Sequence, residues 1–168
     1  MNIPNSVTSI GGLAFRHCFS LTSFNIPDGI TDIGVYAFDG CSSLTFINVP
    51  DSVTNLKIKQ ETFAGCTSLK SINIPNGVTS IYDRAFVGCH NLTSVNIPNS
   101  VTFISNSAFL DCEKLSDFTV NWRTPDFINM SSGLRLPLSV TVHVPKGTKA
   151  LYQQVEGWNK FNIVEDTQ

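Results

Sequence analysis

Leu69-Lys70-Ser71-Ile72-Asn73-Ile74-Pro75-Asn76-Gly77-Val78-Thr79-Ser80-Ile81-Tyr82-Asp83-Arg84-Ala85-Phe86-Val87-Gly88-Cys89-His90-Asn91-Leu92 decides the fold, because the chain repeats it. The cysteine of this unit recurs at Cys18, Cys41, Cys66, Cys89 and Cys112, at intervals of 23, 25, 23 and 23 residues. A phenylalanine stands three residues before each (Phe15, Phe38, Phe63, Phe86, Phe109) and a leucine three after each (Leu21, Leu44, Leu69, Leu92, Leu115). A fixed period of about 20 to 50 residues marks a solenoid, in which no unit buries its own apolar side and neighbours stack to do so.

The unit can be read piece by piece. Apolar residues alternate in Phe24-Ile26, Ile47-Val49, Ile72-Ile74, Val95-Ile97 and Phe118-Val120, the period of a half-buried strand. Proline closes the first four of these segments (Pro27, Pro50, Pro75, Pro98), and Pro4 holds the same phase. It lacks a ladder donor and so belongs at a strand end. Turn formers follow, Asp28-Gly29 and Asn76-Gly77 among them. A second apolar pair (Val7/Ile10, Ile30/Ile33, Val53/Leu56, Val78/Ile81, Val101/Ile104) predicts a short extended segment on the opposite side. The residue before each cysteine is His17, Gly40, Gly65, Gly88 or Asp111. Glycine recurs where a positive φ is wanted, and His and Asp are among the substitutes enriched there, so all five are predicted left-handed. Stacking at about 4.7–4.9 Å brings the Phe, Leu, Ile and Cys columns into one core, the phenylalanine spine dominating its stability.

Charged residues make up only 14% of the 168, against a usual quarter. The formal charge is −2 with no basic stripe, which argues against nucleic acid as a partner. No apolar run is long enough to insert into a membrane. Met1-Asn2-Ile3-Pro4 carries no signal-peptide pattern, and it enters mid-unit. The expectation is a piece of a longer array, or an end that associates with a second copy.

Five cysteines invite a metal or redox reading. Metal ligation needs thiols converging from different directions, whereas these stack one per turn. They read as a buried column of small apolar side chains, free and unbridged. His90 adjoins Cys89, but neighbours at a turn do not face each other as nucleophile and base must. His143 alternates outward on a later strand. No paired base, oxyanion donor or phosphate loop is visible, so no catalytic residue and no cofactor or metal is expected.

Departures from the repeat are the candidates for partner contact. Phe46 breaks an outward column otherwise made of Ser23, Ser71, Ser94 and Asp117. It is either a contact anchor or an ordinary exposed aromatic. The adjacent column is Asn25, Asn48, Asn73, Asn96 and Thr119, read most simply as structural side-chain hydrogen bonding. The 25-residue interval places two extra residues near Lys57-Ile58-Lys59, either a functional loop or a tolerated bulge. With Lys70, those lysines form a candidate basic spot; Asp117 is the remaining candidate contact.

Taken together, these units resemble the BspA-like (Treponema-type) bacterial leucine-rich repeats over residues 1–120. The resemblance implies a leucine-rich-repeat solenoid, a right-handed β/turn superhelix of about five units, the first incomplete. Residues 121–168 resemble that family's C-terminal cap, through Asn121-Trp122-Arg123-Thr124-Pro125, Val142-His143-Val144-Pro145-Lys146-Gly147-Thr148, Gly157-Trp158 and Ile163-Val164-Glu165. Val140-Val142-Val144 reads as a final strand there. Thr148 is the expected cap of a helix over roughly 149–156, with Leu151, Val155 and Trp158 on one face and Gly157 at its end. The resemblance further implies a secreted or cell-surface, non-catalytic adhesion module for a protein or glycan, with a spacer as the alternative. The matches to an N-glycosylation pattern at Asn91 and Asn129 read as chance in a bacterial protein.

Overall fold

The computed structural model describes residues 3–125 and 134–166. Each unit contributes one strand to each of two sides of a stacked coil. The odd-numbered strands are β1 (Ser9–Ile10), β3 (Asp32–Ile33), β5 (Leu56–Ile58), β7 (Val78–Ile81) and β9 (Phe103–Ile104). The even-numbered strands are β2 (Ser23–Asn25), β4 (Phe46–Asn48), β6 (Ser71–Asn73), β8 (Ser94–Ile97) and β10 (Asp117–Val120). All pairing is parallel, and repeat positions meet in register, Ile72 opposite Val95 and Asn73 opposite Asn96. The expected solenoid of stacked parallel strands is therefore the fold.

The turn side carries a third ladder. Phe15, Phe38, Phe63 and Phe86 donate their N–H groups to the carbonyls of Ala37, Thr62, Ala85 and Ala108, at 2.8 Å each. Gly40, Gly65 and Gly88 do the same toward Ala64, Val87 and Leu110. The left-handed conformation is present at all five predicted positions, with φ of 56° at His17, 70° at Gly40, 64° at Gly65, 70° at Gly88 and 60° at Asp111. A second left-handed column stands at Leu13, Tyr36, Glu61 and Arg84, with φ of 52–63°.

Inside, the phenylalanine rings stack face to face. Centroid separations from Phe15 to Phe109 are 5.1, 5.5, 5.3 and 5.1 Å, with rings within 17° of parallel. Phe38, Phe63, Phe86 and Phe109 are fully buried, whereas Phe15, Cys18 and Leu21 of the first unit are half-covered. Each later thiol donates to the carbonyl of the preceding unit's phenylalanine: Cys41 to Phe15, Cys66 to Phe38, Cys89 to Phe63 and Cys112 to Phe86, at 3.1–3.3 Å. All five cysteines are free.

The extra residues of the third unit fall earlier than the repeat pattern places them. Ile58, not Leu56, pairs with Ile81, and Leu56 pairs with Val78 across a register shift. The surplus is taken up around Val53–Asn55, where Asn55 turns left-handed at φ 55°. Both strand ladders are interrupted at this unit, between β3 and β5 and between β4 and β6. The turn-side ladder and the Phe38–Phe63 stack run through without a break.

Beyond β10, β11 (Thr141–Val144) and β12 (Asn162–Glu165) extend the same sheet in the order β6-β8-β10-β11-β12. β11 is thus followed by one more strand. Between them lies α1 (Lys149–Gln154), shorter than expected. Thr148 makes no side-chain cap; its hydroxyl donates back to the Pro145 carbonyl at 2.6 Å. The Lys149 N–H is taken instead by Glu165, at 2.9 Å. That bond, with help from Gly147, holds the Glu165 carboxyl below its ordinary pKa. The helix buries Tyr152 rather than Leu151, which is exposed. Tyr152 reaches the Trp122 carbonyl at 2.7 Å and meets Trp158 edge-on, and Gly157 ends the segment with φ 92°.

Candidate functional site

Four of the five cysteines are buried in the core. Burial pushes the Cys41 thiol up to about 11 and the Cys112 thiol up to about 12. Burial raises Cys66 and Cys89 as well. A thiolate is the reactive form, so these four are protonated and unreactive at neutral pH. Cys89 donates inward to Phe63 while the neighbouring His90 lies 3.8 Å from Glu113, so Cys89 and His90 are not a catalytic pair. Among the described residues no three His, Cys, Asp or Glu side chains are grouped to hold a metal. No described helix is long and apolar enough to cross a membrane.

What remains is the outer face of the even-numbered sheet. Alternation along each strand sends one residue in and the next out. Ile47 is buried between Phe46 and Asn48, and Ile72 between Ser71 and Asn73. Two outward columns result. One runs Ser23 and Phe46, then Ser71, Ser94, Asp117, Thr141 and Asn162; the other runs Asn25 and Asn48, then Asn73, Asn96, Thr119, His143 and Val164, repeat phase carrying each column across the break between β4 and β6.

Phe46 stands on this face 50% exposed, in a column of small polar residues. Asp117 holds the same repeat phase on β10, beyond the break between β4 and β6. The Ser116 hydroxyl and then His143 hydrogen-bond the Asp117 carboxylate and lower its pKa. His143 Nε2 is 3.1 Å from Asp117 and its Nδ1 is 3.6 Å from Asp166, an ionisable cluster of β10, β11 and the residue just after β12. Sequence reading had placed His143 outward without seeing either partner, because both lie across strand boundaries.

The three lysines are not brought together. Lys57 and Lys59 belong to the β5 region, on the odd-numbered side, and Lys70 enters β6 on the other. Lys59 Nζ lies 2.6 Å from Asp32, which compensates its charge. Lys70 also interrupts a column of hydroxyl donors: Thr45, Thr93 and Ser116 each bond the preceding unit's carbonyl at 3.0–3.2 Å.

The asparagine column is not a hydrogen-bonded ladder. Among the described residues no bond joins Asn25, Asn48, Asn73 and Asn96 to one another; the one bond to a column member comes from Asn121, whose Nδ2 reaches Asn96 Oδ1 at 2.8 Å. Asn73 and Asn96 instead line a polar trough of about 350 Å³ with Asp51, Asn76, Asn99 and Asn121. Asp51, Asn76 and Asn99 occupy the slot after the proline, which sequence reading took as turn formers alone. The signal was present: a polar residue in that slot lies one proline and one buried residue beyond each outward asparagine.

A larger hollow of about 650 Å³, at the junction of the last unit and the cap, includes Trp122 and Arg123. The Asn129 glycosylation pattern lies outside the described residues.

Comparison with known proteins places this geometry. A leucine rich cell surface protein of Faecalibacterium prausnitzii A2-165 is 42% identical, with a TM-score of 0.68, over 71% of this chain and 31% of that one. A leucine rich repeat protein of T. pallidum is 29% identical, with a TM-score of 0.64, over 95% of this chain and 62% of that one. The pneumococcal vaccine antigen PcpA, at 18% identity and a TM-score of 0.76, shares the fold over 98% of this chain and 40% of its own. This chain therefore spans less than two thirds of each of these structures. No curated protein sequence matches it. The family model described as BspA type leucine rich repeat region (6 copies) matches residues 1–116. The chain belongs to the BspA-type leucine rich repeat family.

Proposed function

We propose that the chain is a non-catalytic binding module of a secreted or cell-surface protein, engaging a protein or glycan through the outer face of the even-numbered sheet. The observation that carries this reading is Phe46, a half-exposed aromatic on β4 in an outward column otherwise made of Ser, Thr, Asn and Asp. Aromatic residues, phenylalanine included, are enriched at the core of protein interfaces relative to the rest of the surface. The cell-surface description of the F. prausnitzii protein supports the location. A spacer that only projects another domain is the competing reading, favoured by the uniform Ser column on either side of Phe46.

An array of immobilised glycans and extracellular-matrix proteins tests the main proposal. The Phe46→Ala, Lys70→Ala double variant is expected to lose at least about tenfold in affinity for a ligand found there, as truncated anchors do. Unchanged affinity removes Phe46 and Lys70 from the site, and an array without a ligand favours the spacer.

A further inference from the structure

We infer that the trough lined by Asn73, Asn76, Asn96, Asn99, Asn121 and Asp51 binds a neutral, extended oligosaccharide. The inference rests on the binding-module reading and names the ligand class of one part of its face.

First, the trough keeps its hydrogen-bonding capacity open. Among the described residues, the side chains of Asn73, Asn76, Asn99 and Asp51 have no hydrogen-bond partner within the protein. Asn121 donates both to Asn96 Oδ1 and to the Ile97 carbonyl, 2.8 Å each, which orients the Asn96 amide and leaves its nitrogen as a donor. Asparagine offers donor and acceptor together, and Asp51 adds an acceptor. Alternating donors and acceptors match the hydroxyls of a sugar, each of which is both.

Second, charge and lining exclude other ligands. No cation lines the trough, and Asp51 repels anions, so sulfated or uronic-acid sugars and phosphates are disfavoured. Apart from Asp51 its side chains are five asparagines, Ile74 and the rings of Pro75 and Pro98, and Ile74 is itself buried, which leaves no apolar pocket for a peptide side chain.

Third, the spacing favours a sugar over a peptide backbone. Asn73 and Asn96 are ladder partners, so their amides repeat at about 4.8 Å across the strands. That is close to the length of one pyranose ring linked through opposite corners. An extended peptide advances about 3.3 Å per residue and about 6.7 Å per equivalent residue, and fits neither.

Titration calorimetry and amide-resolved NMR with cellotetraose, chitotetraose and mannotetraose, against a hyaluronan tetrasaccharide and an extended alanine-serine peptide, test the inference. At least one neutral tetrasaccharide is expected to bind and to shift the Asn73, Asn96 and Asn121 side-chain amides. The Asn73→Ala, Asn96→Ala double variant is expected to weaken it at least about tenfold, through two lost hydrogen bonds. Asn25→Ala, in the same column but outside the trough, is expected to change nothing. Both variants replace exposed side chains, and circular dichroism verifies their fold. No neutral sugar bound at millimolar concentration, equal binding by the double variant, or preference for the peptide or the charged sugar each overturns the inference. A protein ligand lost on Phe46→Ala but indifferent to the double variant would overturn the trough while leaving the binding module standing.

Discussion

The Cys66 thiol donates a hydrogen bond to the Phe38 carbonyl, Sγ to O 3.3 Å, across the boundary between two units. The same contact recurs wherever a unit precedes a cysteine, so the thiols tie the phenylalanine turns together from inside. Cys66→Ala leaves that carbonyl buried without its donor and opens a small void. A loss of about 1–3 kcal/mol in urea denaturation is expected. A loss below about 0.5 kcal/mol would mean that the thiol only fills space.

The same burial makes stability fall in alkali. Four thiols have folded pKa values raised above the ordinary 9.0, Cys41 to about 11 and Cys112 to about 12, by desolvation first. The folded state keeps these protons where the unfolded chain releases them. Their contribution is therefore complete below pH 9 and is lost as pH rises from 9 through 11 and 12. Each thiol adds a slope of roughly 1.4 kcal/mol per pH unit in that window. Melts at pH 8 to 11 should show a steep decline, and each Cys→Ala variant should flatten it by about one proton. A flat profile would contradict the inward placement of the column.

Phe63 stacks at 5.5 Å on Phe38 and at 5.3 Å on Phe86 with no exposed surface. Phe63→Ala is expected to destabilise by about 3–5 kcal/mol. Phe15→Ala, at the half-covered first unit, should cost clearly less. Chemical denaturation of the two variants side by side checks the order, and a loss below 1 kcal/mol at Phe63 would contradict the spine.

At Gly65 an added Cβ would meet only Gly40 Cα at 3.5 Å and Gly40 N at 3.6 Å, ordinary contacts, so only its φ of 64° resists substitution. Gly65→Ala is expected to cost about 1–2 kcal/mol, while Gly65→Asn, a residue that tolerates the conformation, costs less. Equal losses for both would locate the penalty in packing instead.

These particulars show where the sequence was readable. Phe, Cys, Leu and Pro recur because a solenoid core repeats its contacts, so strands, spine and the left-handed residue before each cysteine follow from spacing. The second left-handed column did not, because Leu13, Tyr36, Glu61 and Arg84 carry no local preference for positive φ. Interunit bonds such as Tyr36 N–H to Gln60 hold them. The insertion was misplaced because Val53, Leu56 and Ile58 are all apolar, and only pairing tells which meets Ile81. Local sequence marks Thr148 as the cap, whereas the bond to the Lys149 N–H comes from Glu165, 16 residues beyond Lys149 on another strand. Of the candidate contacts, Phe46 and Asp117 share a face because they share a repeat phase. The lysines do not, since their phases lie on opposite sides of the coil. The trough escaped notice because Asn76, Asn99 and Asp51 look like turn residues until the turns stack.

The central claim is that function lies on the outer face of the even-numbered sheet and not on the turn side. Ser94, exposed at the middle of that face, and Glu113, exposed beside Cys112, allow a direct comparison. Ser94→Arg and Glu113→Arg proteins should be measured for affinity against the same array-identified ligand. The account predicts that Ser94→Arg abolishes binding while Glu113→Arg leaves it intact. Binding that survives Ser94→Arg and is lost with Glu113→Arg would contradict it.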